Sequence, residues 1–170
     1  MQKLPGNYVA GFVDGEGCFA LKFRRDVRYE RKNTPVYFYW DIEFAIMLRS
    51  DDKELLQSIL ATLRCGRISV NRAGGARYSV QHIEDLVSKI VPFFDQYQLH
   101  GKKRFDFELW KEAVQIFQRS QQQRKAKGER YFRKKAWGLR DLQRLREIHQ
   151  AMKQYKSKGN EWKWLAQASS

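Results

Sequence analysis

The chain has 170 residues, 42% hydrophobic and 14% aromatic, enough to bury a core and too apolar for a disordered segment. Lys and Arg outnumber Asp and Glu by 33 to 19, and the net charge of +14 favours a polyanionic partner, nucleic acid first, although a ribosomal-type structural protein would carry a similar charge. The isolated Cys18 and Cys65 exclude a disulfide or zinc framework, no apolar run nears the ~18 residues of a membrane span, and no signal-peptide pattern opens the chain, so an intracellular, soluble protein with no membrane partner is expected.

The first predicted element is a helix, with Pro5 tolerated in its first turn and an apolar run from Tyr8 to Val13. Gly11 and Gly15 stand four apart on one face. Each costs a helix roughly 1 kcal/mol against alanine, and together they leave room for another backbone to approach closely. Asp14 and Glu16 sit where the helix ends, beside carbonyls that carry partial negative charge. A carboxylate, free carbonyls and a symmetry-related copy of both would attract a divalent cation. The competing reading is a core helix that ends at Gly15–Gly17 with two solvated acids.

Cys18 to Arg24 then alternates, with Phe19, Leu21 and Phe23 on one side and Ala20, Lys22 and Arg24 on the other, which predicts a half-buried strand. After a polar loop over Asp26 to Thr34, Pro35 to Arg49 alternates again. Phe38, Trp40, Ile42, Phe44 and Ile46 share one face; Tyr37, Tyr39, Asp41, Glu43 and Ala45 share the other. That polar face suits hydrogen bonding to base edges, and equally the wet side of an ordinary antiparallel sheet. Ser50–Asp51, with Glu54 as a capping-box partner, opens a helix striped by Leu55, Leu56, Ile59, Leu60 and Leu63 and closed by Cys65–Gly66. A hairpin is predicted over Arg67–Arg72 and Ala76–His82, turning at Ala73-Gly74-Gly75. Ile68 and Val70 would meet Tyr78 and Val80 inside, leaving Ser69, Asn71, Arg77, Ser79 and Gln81 to join Lys22 and Arg24 outside.

A short helix over Ile83–Val91 should be broken by Pro92, with Phe93 and Phe94 continuing its apolar surface. Beyond Gly101 and Lys102-Lys103-Arg104 comes a helix whose core side is Phe105, Leu109, Trp110, Ala113, Val114 and Phe117. No internal repeat is visible. Residues 118–170 hold 15 Lys and Arg against 4 Asp and Glu, so this third supplies +11 of the +14. The expected division is therefore 1–117 as a core and 118–170 as a basic helical extension, with Gln121–Gln123 and Arg124–Lys127 as a linker. Leu142, Leu145, Ile148 and Met152 stripe a helix over Leu139–Tyr155, suited to a phosphate backbone or to a plain surface; Trp162 and Trp164 follow.

Val9-Ala10-Gly11-Phe12-Val13-Asp14-Gly15-Glu16-Gly17 resembles the nine-residue signature of the LAGLIDADG homing endonucleases. The similarity extends through the αββαββα order to about residue 117, including Lys102-Lys103-Arg104, Asp106-Phe107 and Trp110. The resemblance implies an α+β fold whose antiparallel saddle sheet sits in the DNA major groove. Its reading residues would be Lys22, Arg24, Tyr37, Tyr39, Asp41, Glu43, Arg67, Ser69, Asn71, Arg77, Ser79 and Gln81. One-motif members act as homodimers on long pseudo-palindromic double-stranded sites and leave short 3′ overhangs. Ala10, Gly11, Asp14 and Gly15 would then form the dimer interface, with Asp14 also supporting the helix end. Glu16 would be the catalytic metal ligand and the Gly15 carbonyl a second one, for Mg2+ with Mn2+ able to substitute. A basic residue at the scissile phosphate maps onto Lys102, with Lys103 as the alternative. A polar residue that ends the second strand in this family falls on Leu48, with Arg49 and Ser50 beside it. The implied activity is intron homing, from a group I intron in a nucleoid or organellar genome. The alternatives are a maturase that binds intron RNA, and a non-catalytic DNA-binding protein on the same fold.

Overall fold

The computed structural model describes residues 2–29, 32–126 and 137–153. Helix α1 (Gly6–Glu16) buries Val9, Ala10 and Val13 and passes directly into β1 (Gly17–Val27). β1 pairs antiparallel with β2 (Val36–Arg49) along its whole length, from Gly17 opposite Ile46 to Val27 opposite Val36. A 3-10 turn (Ser50–Asp52) and α2 (Lys53–Leu63) lead to β3 (Arg67–Val70) and β4 (Gly75–Val80). β4 inserts beside β2, so the sheet order is β1-β2-β4-β3, antiparallel throughout. α3 (Ile83–Asp85), a π turn (Leu86–Ile90), α4 (Val91–Gln96), α5 (Lys103–Ala126) and α6 (Leu139–Met152) complete an α+β fold in the expected αββαββα order. Among the described residues no helix is long and apolar enough to cross a membrane.

The period-2 pattern decides which side of the sheet the helices cover. Phe19 is the hub of that side: its ring lies 5.2 Å from Phe44, Phe107 and Trp110 and 5.4 Å from Phe94, tying β1 to β2, α4 and α5. Contacts of this kind add about 0.5–1.5 kcal/mol per aromatic pair beyond the area they bury.

Several local expectations give way to packing. Pro92 does not end its helix. The preceding turn widens, with the Val91 N–H donating to the Leu86 carbonyl, and Pro92 enters α4 at its first turn, where a missing N–H costs nothing. No capping box forms at α2; the Asp51 carboxylate pairs instead with Arg49 at 2.9 Å. Phe105 is 63% exposed, because it lies about 200° around α5 from the buried Phe107. Val70 faces the core side but pairs with Ala76, not Val80, at the open end of the edge strand, and stays exposed.

The expected linker is helix through Ala126, and the boundary at 117 falls inside α5. α6 packs its stripe of Leu145, Ile148 and Met152 into the same core, and His149 meets the Trp40 ring edge-on at 5.3 Å. Arg144 grips Glu112 of α5 through two bonds of 2.7 and 2.8 Å, which holds that carboxyl below the usual range. The described part of the extension is thus part of the core. The expectations for 127–136 and for Tyr155, Trp162 and Trp164 lie outside the described residues. Ile148→Ala is expected to cost about 2–5 kcal/mol in urea denaturation, as for any buried aliphatic truncation; a change near zero would show that α6 is dispensable.

Candidate active site and nucleic-acid interface

The C-terminal pole of α1 gathers groups from two distant stretches. The Asp14 carboxylate accepts the backbone N–H of His100 at 2.7 Å and of Gly101 at 3.1 Å. In return Lys103, in the first turn of α5, donates from Nζ to the carbonyls of Asp14 at 2.9 Å and Gly15 at 2.6 Å. An ammonium is the group that a helix C-terminus favours, since its last carbonyls carry uncompensated negative charge. Of the two lysines that sequence left open, Lys103 reaches this pole. Lys102 is exposed at the junction before the helix. The order of Lys102 and Lys103 is undecided in sequence because the length of the preceding loop fixes the phase of α5, and that loop is set by Asp14.

Glu16 is exposed at the same pole and joins no ion pair among the described residues. Ideal Cβ atoms at Gly11 and Gly15 would meet nothing within 4 Å, so nothing in the described chain demands glycine there. Tyr8, 49% exposed, stacks on Phe12 at 6.4 Å along this bare face. Ala10, expected at an interface, is instead 3% exposed inside the chain's own core. Asp14 is turned to the loop before α5 rather than outward.

The pole offers oxygen donors only, which suits a hard divalent cation. One chain is too sparse to hold it: among the described residues no three His, Cys, Asp or Glu side chains cluster. The Glu16 carboxylate and the Gly15 carbonyl are two oxygen donors that this pole offers such an ion. Each carbonyl has two lone pairs, so the Lys103 bond leaves one for a cation.

The open sheet face carries Lys22, Arg24, Tyr37, Tyr39, Asp41, Glu43, Arg67, Ser69, Arg77 and Ser79 on its strands, with Gln81 just beyond β4. Asn71 departs from this set. It sits in the turn, where its Oδ1 accepts the Gly75 N–H at 2.8 Å, while Gly74 turns the chain with φ +80°. Met47, 53% exposed opposite Arg77, belongs to the face, as does the exposed Cys18 opposite Ala45. Strict alternation could have found both. Leu48 turns the other way, pairs with Ala76 and packs against the core.

Ion pairs cross the face. Arg24 meets Asp41 at 2.9 Å, and Glu43 meets Lys22 at 3.1 Å and Arg77 at 2.7 Å. Burial alone would push the Glu43 carboxyl up, but the hydrogen bonds and charges of Arg77 and Lys22 bring it below its ordinary value of 4.5. As pH falls the unfolded chain therefore takes up this proton first. The stabilisation is complete above pH 4.5 and is lost as pH drops through the lower folded value. In melting curves taken between neutral pH and pH 3, Glu43→Gln is expected to lose less stability than wild type below pH 4.5; parallel losses would mean that Glu43 is not the linked group.

The family profile for LAGLIDADG endonuclease matches residues 9–114, which contain most of α1, the sheet and the first part of α5. A probable intron-encoded endonuclease of Neurospora crassa is 34% identical over 110 residues, covering 64% of this chain and 22% of that protein. A probable intron-encoded DNA endonuclease of Mycosarcoma maydis is 28% identical over 106 residues, covering 62% of this chain and 35% of that protein. The chain therefore spans only about a fifth to a third of the length of these curated relatives. The meganuclease I-SmaMI, solved bound to DNA, superposes with a TM-score of 0.67 at 25% identity, covering 90% of this chain and 45% of its own. The homing endonuclease I-TnaI shares the fold over 99% of this chain and 98% of its own, with a TM-score of 0.71 at 21% identity. With the signature helix, the sheet and the Lys103 pole all inside the matched region, this chain belongs to the LAGLIDADG endonuclease family.

Proposed function

We propose that this chain is a site-specific endonuclease that cuts both strands of a long pseudo-palindromic DNA site, as a homodimer, with short 3′ overhangs. The observation that carries the reading is the pole of α1, where Glu16, two helix-end carbonyls and Lys103 meet beside a glycine face that the described residues leave bare. A second copy packed on Gly11 and Gly15 would set two such poles side by side, one for each strand. Intron homing is supported by the intron-encoded endonucleases among the relatives.

The roles follow from the groups. Glu16 and the Gly15 carbonyl would hold Mg2+, with Mn2+ able to substitute; a bound cation supplies charge at the phosphate and activates water for in-line attack. Lys103, rather than Lys102, would offer its one remaining donor to a phosphate oxygen. The open face binds duplex DNA, its Arg and Lys against phosphates or base edges and its Tyr, Ser and Gln adding hydrogen bonds. Asn71 serves the turn that holds β4 in register. Leu48 favours a second reading, since the family's polar position at the end of β2 is here apolar and turned to the core. A protein that kept the fold without cleavage would bind intron RNA as a maturase, or DNA without cutting it.

Incubation of the purified chain with a plasmid that carries the joined flanks of its host intron, in Mg2+ and then in EDTA, separates these readings. Mg2+-dependent linearisation is expected. Binding without cleavage would leave the non-catalytic reading, and binding of the intron RNA alone the maturase. Glu16→Gln should abolish cleavage at unchanged DNA affinity, and a variant that cuts normally would overturn the assignment of Glu16. Gly11→Leu should shift sedimentation from dimer to monomer; a dimer that persists would exclude the α1 face as the interface.

A further inference from the structure

Glu43 lies in the middle of the open face, yet it is only 3% exposed. Its Oε2 accepts from Lys22 Nζ at 3.1 Å and from Arg77 Nη2 at 2.7 Å, and its Oε1 from Gln81 Nε2 at 3.3 Å. Gln81 Oε1 in turn accepts from Arg67 Nη2 at 3.4 Å. The floor around it is made of small residues: Ala20, opposite Glu43, is 7% exposed, Ala45 2% and Ser79 6%. These point to the solvent side and are nonetheless covered, so the long side chains lie across them rather than standing off the sheet. Three donors, from β1, from β4 and from the residue just beyond β4, are thus held by one carboxylate.

A carboxylate this covered cannot accept from the amino group of cytosine, the base contact that an exposed glutamate would make. Given the DNA-binding role proposed above, we infer that Glu43 is a positioning residue for base readout: it locks Lys22, Arg77 and Gln81 into one donor array aimed at the acceptor edge of guanine, and withholds their charge from the phosphates. Guanine presents O6 and N7 side by side in the major groove, and Arg or Lys is the side chain that meets them. Arg77 has five N–H donors, and its bond to Glu43 uses one, leaving donors for a base while its direction is fixed. Without the carboxylate the same cations would swing to the nearest phosphates. They would bind DNA more tightly and read it less. A network that serves only the fold would instead change melting and leave base preference alone.

The test uses the full chain in a binding selection from duplexes carrying a randomised central stretch, with a salt titration on one fixed duplex of arbitrary sequence. Wild type should enrich a site with guanine at a few adjacent positions in each half. Glu43→Gln should flatten preference at those positions only. It should also bind the arbitrary duplex several-fold more tightly, with a log–log salt slope steeper by about one per chain, the value for one added phosphate contact. Identical base preferences in Glu43→Gln and wild type would overturn the inference, as would a wild-type site without guanine. If circular dichroism shows Glu43→Gln unfolded, Arg77→Lys decides: it keeps the charge and loses the planar fork, so guanine preference at the same positions should fall while the salt slope holds. Unchanged preference in that variant would overturn the inference. A wild-type chain that selects no site at all would overturn the DNA-reading function itself and this inference with it.

Discussion

The exchange of bonds between α1 and the start of α5 is the constraint on which the proposed active site depends. Asp14 takes two N–H groups from the loop before α5, and Lys103 of α5 takes two carbonyls from the end of α1. The partners are 86 to 89 residues apart in sequence. Each half answers a deficit of the other. A helix C-terminus has carbonyls without donors, and a tight loop has N–H groups without acceptors. Because bonds to charged groups are worth about 1.5–3 kcal/mol, roughly twice a neutral one, the pair fixes where α1 ends. Glu16, the last residue of α1, inherits its direction from that joint.

The electrostatics of the molecule divide in the same spirit. An excess of 33 basic over 19 acidic residues would suggest a uniformly attractive surface, but the sheet face spends several of its cations on its own acids. Under the DNA-binding function proposed above, long-range attraction to the polyanion would come from the total charge, and the paired face would decide what happens at contact. Such pairing costs affinity and gains discrimination, because groups already held in place have less freedom to satisfy an arbitrary sequence.

The large pattern was legible in the sequence because it is local. Alternation in β1 and β2 assigns nearly every residue to its correct side of the sheet, and the element order follows from the breaks between periodic runs. What was not legible depends on partners far along the chain. Nothing near Glu43 announces burial, since Lys22, Arg77 and Gln81 are 21, 34 and 38 residues away. The choice between Lys102 and Lys103 rests on helix phase. Asn71 looked like one more residue of a strand, but the turn at Gly74 claimed its side chain. The run of glutamines after Phe117 suggests a linker by composition, whereas α5 continues through Ala126, Gln121 donates to Glu84 Oε1 at 2.7 Å, and Phe117 packs on Trp137 at 4.9 Å. Tertiary packing overrides weak propensity in such places.

The widened turn before Pro92 does more than excuse a missing donor. An ordinary α-helix advances about 100° per residue, so positions 86, 90 and 94 would drift about 80° around its axis. One turn with a longer repeat cancels most of that drift, and Leu86, Ile90 and Phe94 all end fully buried along a single line. Phe94 can therefore meet Phe19, Phe44 and Phe107 at once. The extra residue acts as a gear that brings the aromatic tooth into mesh. Held to ordinary α geometry, the same residues would keep their helix yet carry Phe94 about 80° away from the line of Leu86.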